Sequence, residues 1–216
     1  MKKYIIFALL LFAGAGIYAR LNYKAGIHDQ SKTYVSSTSS SINYSSDFNY
    51  RQTVNGCGPF SVAAVVRALT GREIDSKEFD KNMEWRLPDG GTLPVGMEKL
   101  LEQNGISVEV PDVKQLTDEE KISLLQEKLS QHKPTIVLGQ VGDYEHYITV
   151  LGFDNSKDQF YIYDSFFDKE KEGFTKDENG ELSGNRNFTS QELLDFWRGA
   201  GMYGMYNWYA IVASKE

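Results

Sequence analysis

Cysteine is almost missing from this 216-residue chain, which has one, Cys57. No intramolecular disulfide can hold the fold. Histidine is scarce as well, with three residues, His28, His132 and His146. Scattered as they are beside a single cysteine, they make no zinc-ligand pattern, and neither a metal nor another cofactor is expected. A basic excess is also lacking. Lys and Arg number 23 against 30 Asp and Glu, a formal net charge of −7. That balance argues against a nucleic-acid partner and against adhesion of the folded part to an anionic membrane. There are no internal repeats, and no uncharged apolar run reaches the ~20 residues that cross a bilayer comfortably. What is present is ordinary for a globular protein, 41% hydrophobic and 25% charged residues, with 13 Tyr and 12 Phe. The length suits one domain with a full core.

The N-terminus reads as a targeting segment. Met1-Lys2-Lys3 is positively charged, and the 16 residues from Tyr4 to Ala19 carry no charge and are mostly apolar. Residues 1–19 are expected to be a signal peptide, with Ala13-Gly14-Ala15 as a small-residue cleavage site, or an uncleaved signal anchor. Either way the body is exported, facing outward from a membrane or released. Membrane contact is expected through this segment alone. Residues 20–47 are polar and serine-rich, with Ser36-Ser37-Thr38-Ser39-Ser40-Ser41 at the centre, and are expected to be a flexible tether. The folded domain is expected over residues 48–216.

Within that domain helices come first and strands later. Helices are expected over Pro59–Thr70 (stopped by Gly71), Ser76–Met83, Thr92–Asn104 (capped by Thr92) and Asp118–Gln131, with a short strand at Ile106–Val110. Strands follow at Thr135–Val141, Glu145–Phe153 and Gln159–Ser165, the last two joined as a hairpin through residues 154–158. Asp168–Asn187 is charged and reads as an exposed excursion. Thr189–Arg198 is a capped helix and Tyr206–Ala213 a final strand. Helices followed by an antiparallel sheet make the class α+β.

A lone cysteine is most often a small core hydrophobe. The surroundings of Cys57 argue otherwise. It lies in Gln52-Thr53-Val54-Asn55-Gly56-Cys57-Gly58-Pro59, at the start of an apolar helix whose dipole favours a thiolate. Glycines on both sides leave the sulfur uncrowded, and Gln52 offers an amide donor for a developing oxyanion. In an exported chain an unpaired cysteine is inert, an intermolecular link or a working thiol.

A working thiol needs a base. His28 falls in the tether, and His132 at a helix end beside Lys133 reads as a surface residue. His146 opens a strand on the face of Ile148 and Val150. Alone, it reads equally as a satisfied half-buried residue or as a base. The hairpin favours the second: pairing about Asn155–Ser156 brings Asp164 within about two residues of the position facing His146, a backbone diagonal of roughly 7–8 Å. Glu145 points to the opposite face.

Gln52-x4-Cys57-Gly58-Pro59, then Glu145-His146-Tyr147-x-Thr149-Val150-x-Gly152-Phe153-Asp154, then Tyr163-Asp164-Ser165 resemble the double-glycine (bacteriocin-processing) peptidases and their stand-alone relatives, which belong to the papain-fold cysteine peptidases. The resemblance spans about Arg51 to Ser165. It implies a papain-like α+β fold with the cysteine helix packed on the sheet. It also implies Cys57 as nucleophile, His146 as general base and acid, Asp164 as its orienter and Gln52 as oxyanion donor. The substrate would be a peptide or protein. No Gly-x4-Gly-Lys-Ser/Thr run is present, so the transporter motor of the family's best-known members is not expected here. A cell-wall amidase or transpeptidase on the same fold, and a non-catalytic peptide-binding module, are the alternatives.

Overall fold

A computed structural model describes residues 38–199 and 205–215. The targeting segment expected over 1–19, the serine-rich stretch through residue 37 with His28, and residues 200–204 lie outside the described residues. Among the described residues no helix is long and apolar enough to cross a membrane.

Among the described residues seven strands form one antiparallel sheet: β1 Ser39–Ser41, β2 Ile106–Glu109, β3 Thr135–Val141, β4 Tyr144–Asp154, β5 Gln159–Tyr163, β6 Arg186–Phe188 and β7 Ala210–Lys215. Their order is β2-β7-β3-β4-β5-β6, and β1 pairs with the far end of β4. Five α-helices in the described residues accompany them: α1 Cys57–Thr70, α2 Ser76–Asn82, α3 Pro94–Gln103, α4 Asp118–Ser130 and α5 Ser190–Arg198. The class is α+β.

The sheet alternation decides where each helix packs. Ile136, Leu138, Tyr147 and Ile211 face one side and meet Val62, Val65 and Val66 of α1 and Met97 and Leu101 of α3. Val137, Ile148 and Val150 face the other and meet Leu125 and Leu129 of α4 and Leu193, Phe196 and Trp197 of α5. Helix α1 is buried from Cys57 through Arg67. Each fully buried Val or Phe there contributes about 1.5–3 kcal/mol, so the helix is held firmly and its N-terminus is a fixed point. It ends at Gly71, which takes the left-handed conformation (φ 67°). Helices α4 and α5 each open with a capping box, Thr117 with Glu120 and Thr189 with Glu192.

Four expectations need correction. The tether does not extend to residue 47. Ser39–Ser41 pairs with residues 152–154 of β4, and Ile42 and Tyr44 are buried, because two apolar side chains at alternate positions anchor an otherwise polar stretch to the sheet. Helix α3 starts at Pro94, with Leu93 as a cap that makes no side-chain bond; Thr92 instead bridges to Arg86. The last strand begins at Ala210, after a turn. Finally, Asp168–Asn187 is not simply exposed. Thr175, Asn179, Ser183 and Asn185 are buried, and Arg186–Phe188 adds a sheet strand beside β5.

Candidate active site

Strand β4 is longer than its neighbour β5, whose last paired residue is Tyr163, opposite Thr149. Below that level one flank of β4 is left without a strand. Leu138, opposite Tyr147 on β3, turns its N–H away to Tyr209, so the Tyr147 N–H and C=O point to the open flank. The start of α1 occupies it. The Tyr147 amide stands at the Cys57 thiol and favours its ionised form, and the Ser61 hydroxyl donates to the Tyr147 carbonyl at 3.4 Å. A helix N-terminus thus stands where a strand would pair, and this brings Cys57 beside β4. Gly58 lets the start of α1 pack closely against Thr92 and Met97, on which a Cβ there would press. Its role is close packing rather than freedom around the sulfur.

His146 lies on the α5 face of β4 at the same level, buried, with the Phe196 ring edge-on at 6.3 Å and Phe166 at 6.0 Å. Its Nε2 meets Asp164 Oδ1 at 2.7 Å. That leaves Nδ1 as the ring nitrogen for the Cys57 thiol, whose ionised form the imidazole favours. Asp164 reaches His146 because of a β-bulge. The β4–β5 ladder runs Phe153↔Phe160 and Gly152↔Tyr161, skips Leu151, and resumes at Val150↔Ile162. Without the extra residue Asp164 would fall level with Thr149, on the face opposite His146. With it, Asp164 falls level with Ile148, on the His146 face.

The charges are coupled. Burial works against ionisation of Cys57, but the His146 hydrogen bond and charge, with the Tyr147 and Gly58 amides, bring its thiol below the ordinary cysteine range. Burial works against the imidazolium, yet Asp164 and Cys57 push His146 up to about 10. Burial also opposes the Asp164 carboxylate, and His146, the Phe166 N–H and Arg186 outweigh it and hold its pKa low. The three shifts act together, each favouring the ionised form of its group: Cys57 and Asp164 as anions and His146 as a cation.

Gln52 precedes α1 on the loop that delivers Cys57. Its N–H donates to the Ser165 carbonyl at 3.0 Å, and its Oε1 accepts from the Ser165 hydroxyl at 2.8 Å. With Oε1 so engaged, Nε2 is the end of the amide left for a ligand. The loop is latched from below: Thr53 donates to Asp80, which also pairs with Arg86, and Asn55 donates to the Asp89 carbonyl. The four residues singled out from the sequence, Gln52, Cys57, His146 and Asp164, are therefore gathered at one end of the sheet. His132 is exposed and distant in the fold, and among the described residues no cluster of His, Cys, Asp and Glu could hold a metal ion.

A family model described as the Peptidase_C39 like family matches residues 45–191. The chain belongs to this family. It is a cysteine peptidase, and its α+β fold is papain-like. No curated protein sequence matches the chain. Among solved structures, a double glycine motif protease from an AMS/PCAT transporter, in complex with the leader peptide, is 12% identical with a TM-score of 0.51, covering 82% of this chain and 95% of its own. The peptidase domain of Streptococcus ComA, a bifunctional ABC transporter of a quorum-sensing pathway, is 15% identical with a TM-score of 0.47, covering 77% and 96%.

Within this C39-like framework several contributors were not legible beforehand. Ser165 orients Gln52. Arg186 Nη1 bonds Asp164 Oδ2 at 3.0 Å. Asn185 brackets the Asp164 backbone, accepting its N–H at 2.8 Å and donating to its carbonyl at 2.9 Å. Arg186 and Asn185 come from the charged excursion, and no local pattern marks them. Only the β5–β6 pairing brings them to Asp164.

Proposed function

We propose that this protein hydrolyses amide bonds in a peptide or protein substrate through a Cys57–His146–Asp164 triad, with Gln52 as oxyanion donor. The observation that carries the reading is the chain of contacts from the Cys57 sulfur through the His146 ring to Asp164 Oδ1. The thiolate adds to the amide carbonyl, whose oxygen takes up the negative charge. Gln52 Nε2 and the Cys57 backbone N–H stabilise that oxyanion. His146 gives its proton to the nitrogen as the C–N bond breaks, leaving a thioester on Cys57. Water then loses a proton to His146 and adds to the thioester, and collapse expels Cys57 as thiolate with release of the acid. The leader peptide bound by the solved double glycine motif protease supports a peptide as substrate. Residues 1–19 and the serine-rich stretch after them support an exported domain, tethered outside a membrane or released by cleavage.

The test is alkylation of native Cys57 by iodoacetamide at neutral pH. Labelling should be much faster than that of a free thiol, and His146→Ala should slow it by about 10²-fold. Hydrolysis of a susceptible peptide should fall on the alkaline side as His146 loses its proton near pH 10, and on the acid side below the ordinary thiol range. A native thiol that labels no faster than free cysteine refutes the reading.

A further inference from the structure

Resting on the triad reading above, the geometry points to Arg186 as a positioning residue of this site. It occupies Asp164 Oδ2 so that Oδ1 alone is left to His146, and its fixed charge sets the pH range in which the Cys57–His146 pair is ready.

Three independent features build this role. The first is division of the carboxylate. Oδ1 receives His146 Nε2 at 2.7 Å and the Phe166 N–H at 2.9 Å, while Oδ2 receives Arg186 Nη1 at 3.0 Å. A carboxylate free to rotate could offer either oxygen, or both, to the imidazole. With Oδ2 held, one geometry remains, and it fixes which ring nitrogen faces Cys57.

The second is the way the guanidinium is held. It lies over the rings of Phe167 at 4.8 Å and Phe188 at 4.6 Å, one from the strand end that carries Asp164 and one from β6. A planar cation stacked on aromatic rings is pre-organised for its partner in a way that a lysine is not.

The third is the backbone beneath it. Gly184 has φ 78°, and a Cβ there would collide with the Ile162 carbonyl. The Asn185 N–H donates to that same carbonyl at 2.8 Å. The Asn185 side chain then clasps Asp164, and Asn179 Nδ2 donates to the Ser183 and Arg186 carbonyls at 2.7 and 3.0 Å. These contacts fix the residue before Arg186 to the strand that carries Asp164, so guanidinium and carboxylate are presented by one rigid unit.

The charged groups at this point are Cys57 from α1, His146 from β4, Asp164 after β5 and Arg186 from β6; Phe196 from α5 is uncharged. Arg51 and Lys176 stand farther out, over the Phe166 and Phe167 rings. Arg186 therefore adds a positive charge next to a triad of net charge −1. That charge favours the thiolate and opposes the imidazolium, so both are displaced toward lower pH than they would have without it.

The experiment is the pH dependence of Cys57 alkylation and of peptide hydrolysis in the wild type, Arg186→Gln, Arg186→Met and Arg186→Lys, with thermal unfolding to show which variants fold. In Arg186→Gln, or in Arg186→Met if Gln does not fold, both limbs should move to higher pH by about one unit. Labelling on the acid side is then slowed by up to about tenfold. Arg186→Lys should restore the position of the limbs while recovering only part of the rate. Limbs that stay in place while the rate falls mean a structural role only and overturn the proposal, as does an unchanged profile. A slow wild-type thiol refutes the triad itself; a fast wild-type thiol with unmoved limbs in the neutral variants overturns Arg186 alone.

Discussion

The two walls of the site differ in how they are made. Gln52 and Cys57 stand on one short segment that runs directly into α1, and their separation is set by local backbone and a buried helix. Asp164 leaves the end of β5 and is held by Asn185 and Arg186, about twenty residues further on, through a bulge, a glycine of positive φ and a strand of three residues. The first wall depends on a helix N-terminus and is encoded by neighbours in sequence. The second depends on register and close packing, where one residue more or less changes the face to which a side chain points. Gln52 and Cys57 are thus brought together locally, and Asp164 is brought to His146 by the tertiary fold.

The largest expected effect strikes the local wall. Cys57→Ala should abolish peptide hydrolysis, by about 10⁴-fold or more, while thermal unfolding stays close to wild type because a small apolar residue replaces a small buried one. Persisting turnover would place the nucleophile elsewhere. Gln52→Ala should lower kcat by about 10²–10³-fold with little change in KM, measured by steady-state kinetics. A change confined to KM would make Gln52 a binding group only.

The distant wall should break differently, through stability. Gly184→Ala forces a Cβ against the Ile162 carbonyl in a left-handed conformation, and should cost about 3 kcal/mol or more in urea unfolding. Activity should fall along with stability. If the variant is as stable as wild type, the loop does not rest on β5 as described. The smallest effect joins the two walls. Ser165→Ala removes the hydroxyl that engages Gln52 Oε1 and should reduce kcat by several-fold, in line with about 1 kcal/mol for one neutral hydrogen bond. In a Gln52→Ala background the same change should have no further effect on kcat; full additivity would show that Ser165 does not act through Gln52.

Much of the architecture was legible because it rests on short-range signals. The apolar run after Cys57, the glycine at residue 71 and the capping boxes at Thr117 and Thr189 mark helices by chemistry that acts within one or two turns. The alternation in β4 likewise places His146 on the Ile148 face. Thr92 misled because a capping residue type can equally serve in a bridge, and Leu93 caps α3 without a side-chain bond. The serine run misled because its composition conceals Ile42 and Tyr44, whose burial is decided by the sheet they meet.

By itself the sequence determined the helix N-terminus that carries the only cysteine, the face on which the histidine lies and the hairpin that brings an aspartate near it. Each follows from periodicity or from a residue's intrinsic backbone preference. Tertiary structure alone decided that β5 stops short and leaves β4 a flank for Cys57, that the bulge at Leu151 turns Asp164 to the histidine face, and that Ser165, Asn185 and Arg186 converge there. Those outcomes depend on register and on contacts between segments far apart in the chain, where the free energy comes from packing and hydrogen bonds that no local pattern records.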